Sequence, residues 1–519
     1  MLEQAWHNIK LKNVEQAITA CKQLNQFYPQ NAEGWYATSY ITLKLNDTSQ
    51  SLMAIDKALS IQPKSVFWQI HKANALLSSG NKKASAELID TLANKKYSNA
   101  KIYIELAQIL SDLQNFQAAS DHYEQAITLS PNNAQLLFNL ASVKRYLGEI
   151  ETAEEYLSKA IKLSPWDCEA HLLRSSLRTQ TRNNNNIDEL TLVYQENTKQ
   201  PIAHAQICYA LAKEQEDLGN YQQSFDYLKE GADIRRTHMQ YNPENEINTI
   251  NRIIDVYDSK MVNSKAKGND NDEAIFVLGL PRTGSSLVER IISNHDQVFS
   301  AGELNNFALQ LIDHCRALKA KTPESTTDFV QLTTAVDFAK LGSSYIDSTR
   351  PDTSNSKHFI DKLPLNSLYI GLIKLALPNA KLIHVQRHPL DTCYSIYKQL
   401  FTNGYPFSYN LVELANYYVA HHRLMEHWKA VIPNTIYSVS YEDLVNNLTT
   451  EAQSLLQHCK LDWQDKCTEF QSNKAAALTA SATQVRQTVY KSSIAKWRNY
   501  EQQLSPVKKI LERAGISCA

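Results

Sequence analysis

The chain has 519 residues, with 53 Lys+Arg against 54 Asp+Glu and a formal net charge of −1. That length allows two to four domains, and the charge balance excludes a nucleic-acid binder that works through bulk positive charge. Apolar residues at 43% and charged residues at 21% are ordinary for a globular chain. Mean hydropathy is −0.41, and the longest apolar run, residues 274–280, is too short for a membrane-spanning helix. The first residues, MLEQAWHNIKLKN, lack the continuous apolar stretch of a secretory signal. Eight Cys are scattered at 21, 168, 208, 315, 393, 459, 467 and 518 without a C-x-x-C pair, which argues against a disulfide framework and fits a reducing cytoplasm.

Glycine is scarce at 13 residues, favouring helix over turn-rich β structure. The N-terminal half repeats with a period of 34. Prolines stand at 29, 63, 131 and 165, and small residues recur at Ala5, Ser39, Ala73, Ala107, Ala141 and Ser175. A second small column runs Ala17, Ser51, Ser85, Ala119 and Ala153, and a third holds Ala58, Ala126 and Ala160. Small side chains at fixed phase let paired antiparallel helices approach, and a proline ends each second helix. Trp35, Tyr103, Tyr123, Leu137 and Tyr156 fill the spaces between them. The pattern resembles the tetratricopeptide repeat, about five clear units followed by degenerate ones.

The period frays after Ser175. Residues 183–186, all Asn, read as a loop, and 210–236 reads as one more hairpin. The expected organisation is an all-α repeat domain over 1–240, a linker or exposed loop over 258–273, and an α/β domain over 274–519. A repeat solenoid offers a concave surface for a peptide or protein partner.

The α/β half opens with an apolar strand at 274–280, a tight loop PRTG, and a helix from Ser285 to about Ser293. Such a turn presents backbone N–H groups and a helix dipole to an anion. Gly279-x4-Gly284-Ser285-Ser286 approaches the triphosphate loop, but Ser285 stands where its Lys is required, which argues against a nucleotide kinase. Arg282 supplies a cation within the loop. Residues 381–386 read as a second strand, followed by Arg387 and a helix over 392–401 that carries Ser395. Between them lie a strand ending at Lys362 and a helix over 368–377. Arg282, Lys362 and Arg387 therefore stand at one rim, where open parallel sheets bind ligands.

These motifs resemble the sulfotransferases that use 3′-phosphoadenosine 5′-phosphosulfate (PAPS), over about 270–500. PRTGSSL is similar to that family's 5′-phosphosulfate loop, and VQRHPLDTCYSIY to its 3′-phosphate motif. SYEDLV at 440–445 and TASATQVRQTVYKSSIAKW at 479–497 are similar to further family segments. Within the family, RTGSSL with the later Gly302-Glu303 most resembles the tyrosylprotein sulfotransferases. The resemblance implies a three-layer α/β domain with a parallel sheet like that of the nucleotide triphosphate hydrolases. It implies PAPS as sulfuryl donor without a metal. Arg282 and the loop amides of Thr283, Gly284, Ser285, Ser286 and Leu287 would hold the phosphosulfate. Arg387 and Ser395 would hold the 3′-phosphate, and Tyr441 and Lys496 would contact the nucleotide. Glu303 would be the general base, Lys362 would stabilise the leaving oxygen, and Ser481 would assist near it.

Structural readings stand beside these roles. Glu303 is also placed to serve the N-terminus of a helix starting near Leu304, Lys362 to be a surface residue at a strand end, and Ser481 to be a helix N-cap. Arg387 is spaced to pair with Asp391. His295 reads as a turn residue, and His421 and His422 as helix surface. No His/Cys/Asp/Glu group shows metal-ligand spacing. Protein tyrosine is the first acceptor expected, with the repeats docking it. A carbohydrate or small-molecule hydroxyl is the alternative, and a repeat scaffold with a degenerate nucleotide fold is the non-catalytic one. No nucleic-acid or membrane partner is expected, and the sequence leaves oligomeric state open.

Overall fold

A computed structural model describes residues 1–264, 267–318, 325–353, 356–402, 404–472 and 491–519. They form two compact units, Met1–Ser164 and Pro165–Ala519.

The first unit is five antiparallel helix pairs, from Leu2–Lys10 with Val14–Phe27 to Ala134–Leu147 with Ile150–Leu163. The small columns lie where the helices touch: Ala5, Ala17, Ser39, Ser51, Ala73, Ser85, Ala107, Ala119, Ala141 and Ala153 are all fully buried. A buried serine keeps its hydroxyl satisfied by donating across the pair, Ser85 Oγ to the Ala73 carbonyl at 2.8 Å. Asp47, Asn81 and Asn115, again 34 apart, cap the second helices, while Asn31, Asn99 and Asn133 cap first helices. These caps fix where each helix starts, and they form a further periodic column beside the small residues.

The second unit is built on five parallel strands: β1 Ala274–Gly279, β2 Val298–Ser300, β3 His358–Lys362, β4 Lys381–Gln386 and β5 Ile436–Ser440. Their order is β2-β3-β1-β4-β5, so the chain reverses direction across the sheet at β1. Ile275, Val277, Ile360, Ile383 and Val385 face the helices Ser285–Ser293 and Leu448–His458. Phe276, Leu278, Phe359 and Leu382 face a larger apolar layer that includes Phe307, Tyr345 and Trp428. Both faces are covered, which explains why the strands read as unbroken apolar runs. The expected three-layer parallel architecture is the one observed.

Two boundaries differ from expectation. The hairpin Pro201–Asp217 and Tyr221–Thr237 forms as read, but it belongs to the second unit. Tyr209, Phe225 and Leu228 share one apolar cluster with the sheet, and Arg236 pairs with Glu413 at 2.8 Å. The compact units therefore part at 164/165, not at 240. Nor is 258–273 an exposed linker throughout. Ser259–Val262 is a helical turn with Val262 buried, and Asn269 N–H donates to the Ala376 carbonyl at 2.8 Å. Gly268 packs so closely that a Cβ would stand 2.4 Å from the Leu375 carbonyl. The expected helix at 368–377 is a 3-10 turn Pro364–Tyr369 leading into Ile370–Ala376, and the one at 392–401 spans Pro389–Tyr397, with proline in its first turn.

Candidate functional site

β1 ends at Gly279, which lies so close to β4 that a Cβ would meet the Val385 carbonyl at 2.5 Å. The loop turns through Arg282 at φ 66° and Gly284 at φ 103°, and the helix Ser285–Ser293 begins there with Gly284 as its N-cap. Thr283, 3% exposed, locks the turn by donating Oγ1 to the Leu280 carbonyl at 2.8 Å. The amides from Thr283 to Ser286 thus sit at a helix N-terminus, in the arrangement that receives anions, while that of Leu287 already donates to the Gly284 carbonyl at 2.9 Å.

Arg387, at the end of β4, closes over this loop. Its Nη1 donates to the Arg282 carbonyl at 3.1 Å and to Ser395 Oγ at 2.9 Å, and Nη2 donates to the Ser493 carbonyl at 2.6 Å. Its guanidinium lies 4.9 Å from the centre of the Tyr441 ring, and that ring lies against Gly284. Arg282, Gly284, Arg387, Ser395 and Tyr441 are thereby gathered around one loop. Arg387 Nε–H is buried without a partner, a donor awaiting an acceptor. Asp391 accepts instead from the amides of Ala495 at 2.7 Å and Trp497 at 2.9 Å.

Lys496 is tied in indirectly. It pairs with Glu216, which also takes Lys398 at 2.9 Å. Lys398 is held down to about 8 by burial first, with the charges of Lys496 and Arg282 adding to it. These cations therefore share one electrostatic neighbourhood with the loop.

On the other side of β1, Lys362 ends β3 and is 1% exposed, so it is not a surface lysine. Its Nζ lies 2.5 Å from Glu303 Oε1 and 4.0 Å from Glu289 Oε2 on the loop helix. Lys362 N–H donates to the Gly302 carbonyl at 2.8 Å, which pins the Gly302-Glu303 turn against the strand end. The helix after Glu303 starts at Asn306 with Asn305 as N-cap, so Glu303 does not occupy the cap position. The Glu303 side chain is 48% exposed, reaching solvent from a buried lysine. Beneath the turn lies Asp361, which sequence reasoning passed over. It is fully buried, accepts from Tyr345 OH at 2.8 Å and Asn366 Nδ2 at 3.0 Å, and takes the Leu304 amide. Burial pushes its carboxyl up to about 7, these hydrogen bonds opposing. Ser481 lies outside the described residues.

His295 is a buried turn residue as read, but His421 is buried, and desolvation holds it down to about 3. One metal-ligand spacing was overlooked. His204 and Cys208, four apart on one helix, and Glu230 on its neighbour have ligand atoms within 4.8 Å of one another. His204 Nε2 and Tyr194 OH already engage the Glu230 carboxylate, at 2.8 and 2.9 Å. In the first unit, a cavity of about 490 Å³ is lined by Tyr36, Tyr40, His71, Glu105, Asp112 and Tyr146 among others. Among the described residues, no helix is long and apolar enough to cross a membrane.

Residues 274–465 match the model of the Sulfotransferase family, and residues 98–165 and 205–238 match two models of the Tetratricopeptide repeat. The C-terminal half is thus similar to the Sulfotransferase family over 274–465, and the helical hairpins to the Tetratricopeptide repeat. It is 32% identical over 316 residues to an uncharacterized protein of Aquifex aeolicus (strain VF5), covering 59% of this chain and 41% of that one. The chain therefore spans about two fifths of the length of that curated relative. Among solved structures, the sulfotransferase domain of the Synechococcus PCC 7002 olefin synthase is 19% identical, with 49% of this chain and 98% of that one covered and a TM-score of 0.36. MamA 41-end from Desulfovibrio magneticus RS-1 is 17% identical over 31% of this chain and 91% of that one, with a TM-score of 0.28.

Proposed function

We propose that the protein transfers the sulfuryl group of PAPS to an acceptor hydroxyl, a protein tyrosine before a carbohydrate or small alcohol. The observation that carries this is the pairing of Glu303 with the buried Lys362, 2.5 Å apart, at the same carboxyl-end rim of the sheet as a lysine-less anion loop.

The donor fits the residues at hand. Arg282 and the amides of Thr283, Gly284, Ser285 and Ser286 take the phosphosulfate; Arg387 and Ser395 take the 3′-phosphate. The unpartnered Arg387 Nε–H is consistent with a bound anion. Tyr441 and Lys496 contact the nucleotide, and Ser481 assists near the leaving group.

In the reaction the acceptor O–H gives its proton to Glu303 as its oxygen bonds to sulfur. The bond from sulfur to the 5′-phosphate oxygen breaks, leaving a sulfate ester and 3′-phosphoadenosine 5′-phosphate. Lys362, with three N–H donors, serves Glu303 on one side and the departing oxygen on the other. It stabilises charge where charge develops. Glu303 is exposed enough to meet an acceptor, and its turn is held by Lys362 N–H and, through Leu304, by Asp361. The repeat groove supports a protein acceptor. Its aromatic and acidic lining, Tyr36, Tyr40, Glu105 and Asp112, suits a peptide with basic residues.

The test is Glu303→Gln in single turnover with labelled PAPS and a tyrosine peptide. The amide keeps the shape, so affinity for 3′-phosphoadenosine 5′-phosphate stays while the rate falls by roughly 10²–10⁴. A normal rate with a lowered melting point removes Glu303 from catalysis. Label entering only carbohydrate or small-molecule acceptors moves the acceptor assignment to those classes.

A further inference from the structure

Next to this rim lies a carboxylate that the chemistry above does not use. Glu216 sits in the last turn of the helix Pro201–Asp217, the first helix of the repeat hairpin, with 8% of its side chain exposed. Its Oε1 takes Lys398 Nζ at 2.9 Å and pairs with Lys496 Nζ. Its Oε2 accepts from the hydroxyls of Tyr394 and of Tyr500, the second at 3.2 Å. Both lysines are more open than the acid between them, at 29% and 28%. Lys398 follows Ser395 by three residues, which sets the two on one side of the turn, and Ser395 Oγ accepts from Arg387.

We propose that Glu216 is a positioning residue of the donor site: from the repeat hairpin it holds Lys398 and Lys496 as a fixed pair of cations beside Arg282 and Arg387, ready for the donor's phosphate groups. This rests on the donor reading above.

Cations gathered in one place repel, and a lysine stem keeps no fixed direction unless something holds its head. Glu216 supplies both the opposite charge and the anchor, since two tyrosine hydroxyls fix the carboxylate in turn. Burial alone would raise its carboxyl, but Lys398 and Lys496 outweigh burial and hold it at about 2, so it stays ionised. Lys398 is the responsive member. Burial, Lys496 and Arg282 hold it down to about 8, and Glu216 is the charge that opposes them. The Tyr394 ring, 5.1 Å from its Nζ, completes its surroundings together with Tyr500, which reaches it through Glu216. Burial works against Lys496 too, but Glu216 overcomes it and keeps Lys496 charged. A carboxylate that only tied the hairpin to the sheet would affect stability and leave the titration of donor binding alone.

The experiment measures binding of 3′-phosphoadenosine 5′-phosphate to the full chain from pH 6 to 9. Ratios of variant to wild type are compared, so that ionisation of the ligand cancels. Wild-type affinity falls as pH rises through about 8, where Lys398 loses its proton. In Glu216→Gln that fall begins at lower pH. Binding at pH 8 is then about tenfold weaker than wild type, the size of one charge-assisted contact, and the gap closes toward pH 6. Glu216→Asp keeps the charge and keeps the fall near its wild-type position, and Lys398→Met abolishes it. A Glu216→Gln loss equal at every pH, with a lowered melting point, overturns the proposal. So does a wild-type pH profile in Lys398→Met, which decides the matter if Glu216→Gln does not fold. A wild type that does not bind the bisphosphate overturns the donor reading and this inference together. Binding with unshifted profiles in the variants overturns this inference alone.

Discussion

Gly284→Ala tests the loop geometry with the smallest possible change. Gly284 caps the loop helix at φ 103°, where a Cβ would stand 2.6 Å from Tyr441 Cδ2 and 3.3 Å from Cε2. Carbon atoms in contact keep about 3.5–4.0 Å apart, so the ring must retreat by about 1 Å. The left-handed backbone itself costs about 1–2 kcal/mol with a side chain. Moving the ring disturbs the Arg387 guanidinium stacked over it, an interaction worth about 0.5–1 kcal/mol or more. Arg387 in turn holds Ser395 and the Arg282 carbonyl, so the disturbance reaches each group expected to hold phosphate. The backbone strain is present in the free and the bound protein alike and lowers stability, whereas the loosened Arg387 contact lowers donor affinity by about 0.5–1 kcal/mol or more, roughly two- to fivefold or beyond. Titration with 3′-phosphoadenosine 5′-phosphate, alongside melting with and without it, reads both consequences. The variant should melt a few degrees lower and gain less from the ligand. Gly404→Ala is the control, since Gly404 has φ 75° and nothing within 4 Å of an added Cβ. It should lose some stability and keep its affinity. Gly284→Ala binding within twofold of wild type refutes the proposed cradle.

The buried Asp361 predicts a pH signature. Its folded carboxyl at about 7 lies above the ordinary value of 3.8, so it contributes stability at low pH that is lost as pH rises from about 4 to about 7. The melting point of wild type minus that of Asp361→Asn should fall across that window and level off above it; a flat difference from pH 4 to 8 refutes the assignment. Truncation separates the two candidate boundaries. A chain of residues 165–519 should retain bisphosphate binding, whereas residues 241–519 lose Glu216 and expose the core around Tyr209, Phe225 and Leu228, and should aggregate or fail to bind. Equal binding by both chains refutes the inclusion of the hairpin.

What was legible in the sequence was what a short stretch of chain decides. The small columns at Ala5, Ser39 and Ala73 and their successors were readable because a helix pair needs close approach at the same phase in every repeat. The loop from Gly279 to Ser285 was readable because strand, turn and helix follow one another directly. β2 was not read, since three residues with two exposed carry no pattern. Nor was the burial of His421: it adjoins His422 on the long helix Leu411–Val431, and only the packing tells which of the two turns inward. Asp361 and Glu216 escaped for a different reason. Each looks like an ordinary acidic residue until its partners arrive, and those of Glu216 lie between 178 and 284 residues away.

The misplaced boundary at 240 follows from the same limit. The apolar face of the hairpin Pro201–Asp217 and Tyr221–Thr237 has the spacing of any repeat, and sequence does not say what covers it. In a solenoid the next repeat does; here Phe225 and Leu228 share the core of the sheet domain instead. Once that face is turned to the sheet, the far end of the helix Pro201–Asp217 carries Glu216 to Lys398 and Lys496. A residue set by repeat architecture then bears on the proposed anion site at the strand ends. Donor affinity should therefore respond to changes in this hairpin more than to equal changes among the five helix pairs of Met1–Ser164. That ranking follows from which side chains meet the carboxylate, and neither the 34-residue period nor the loop motif contains it.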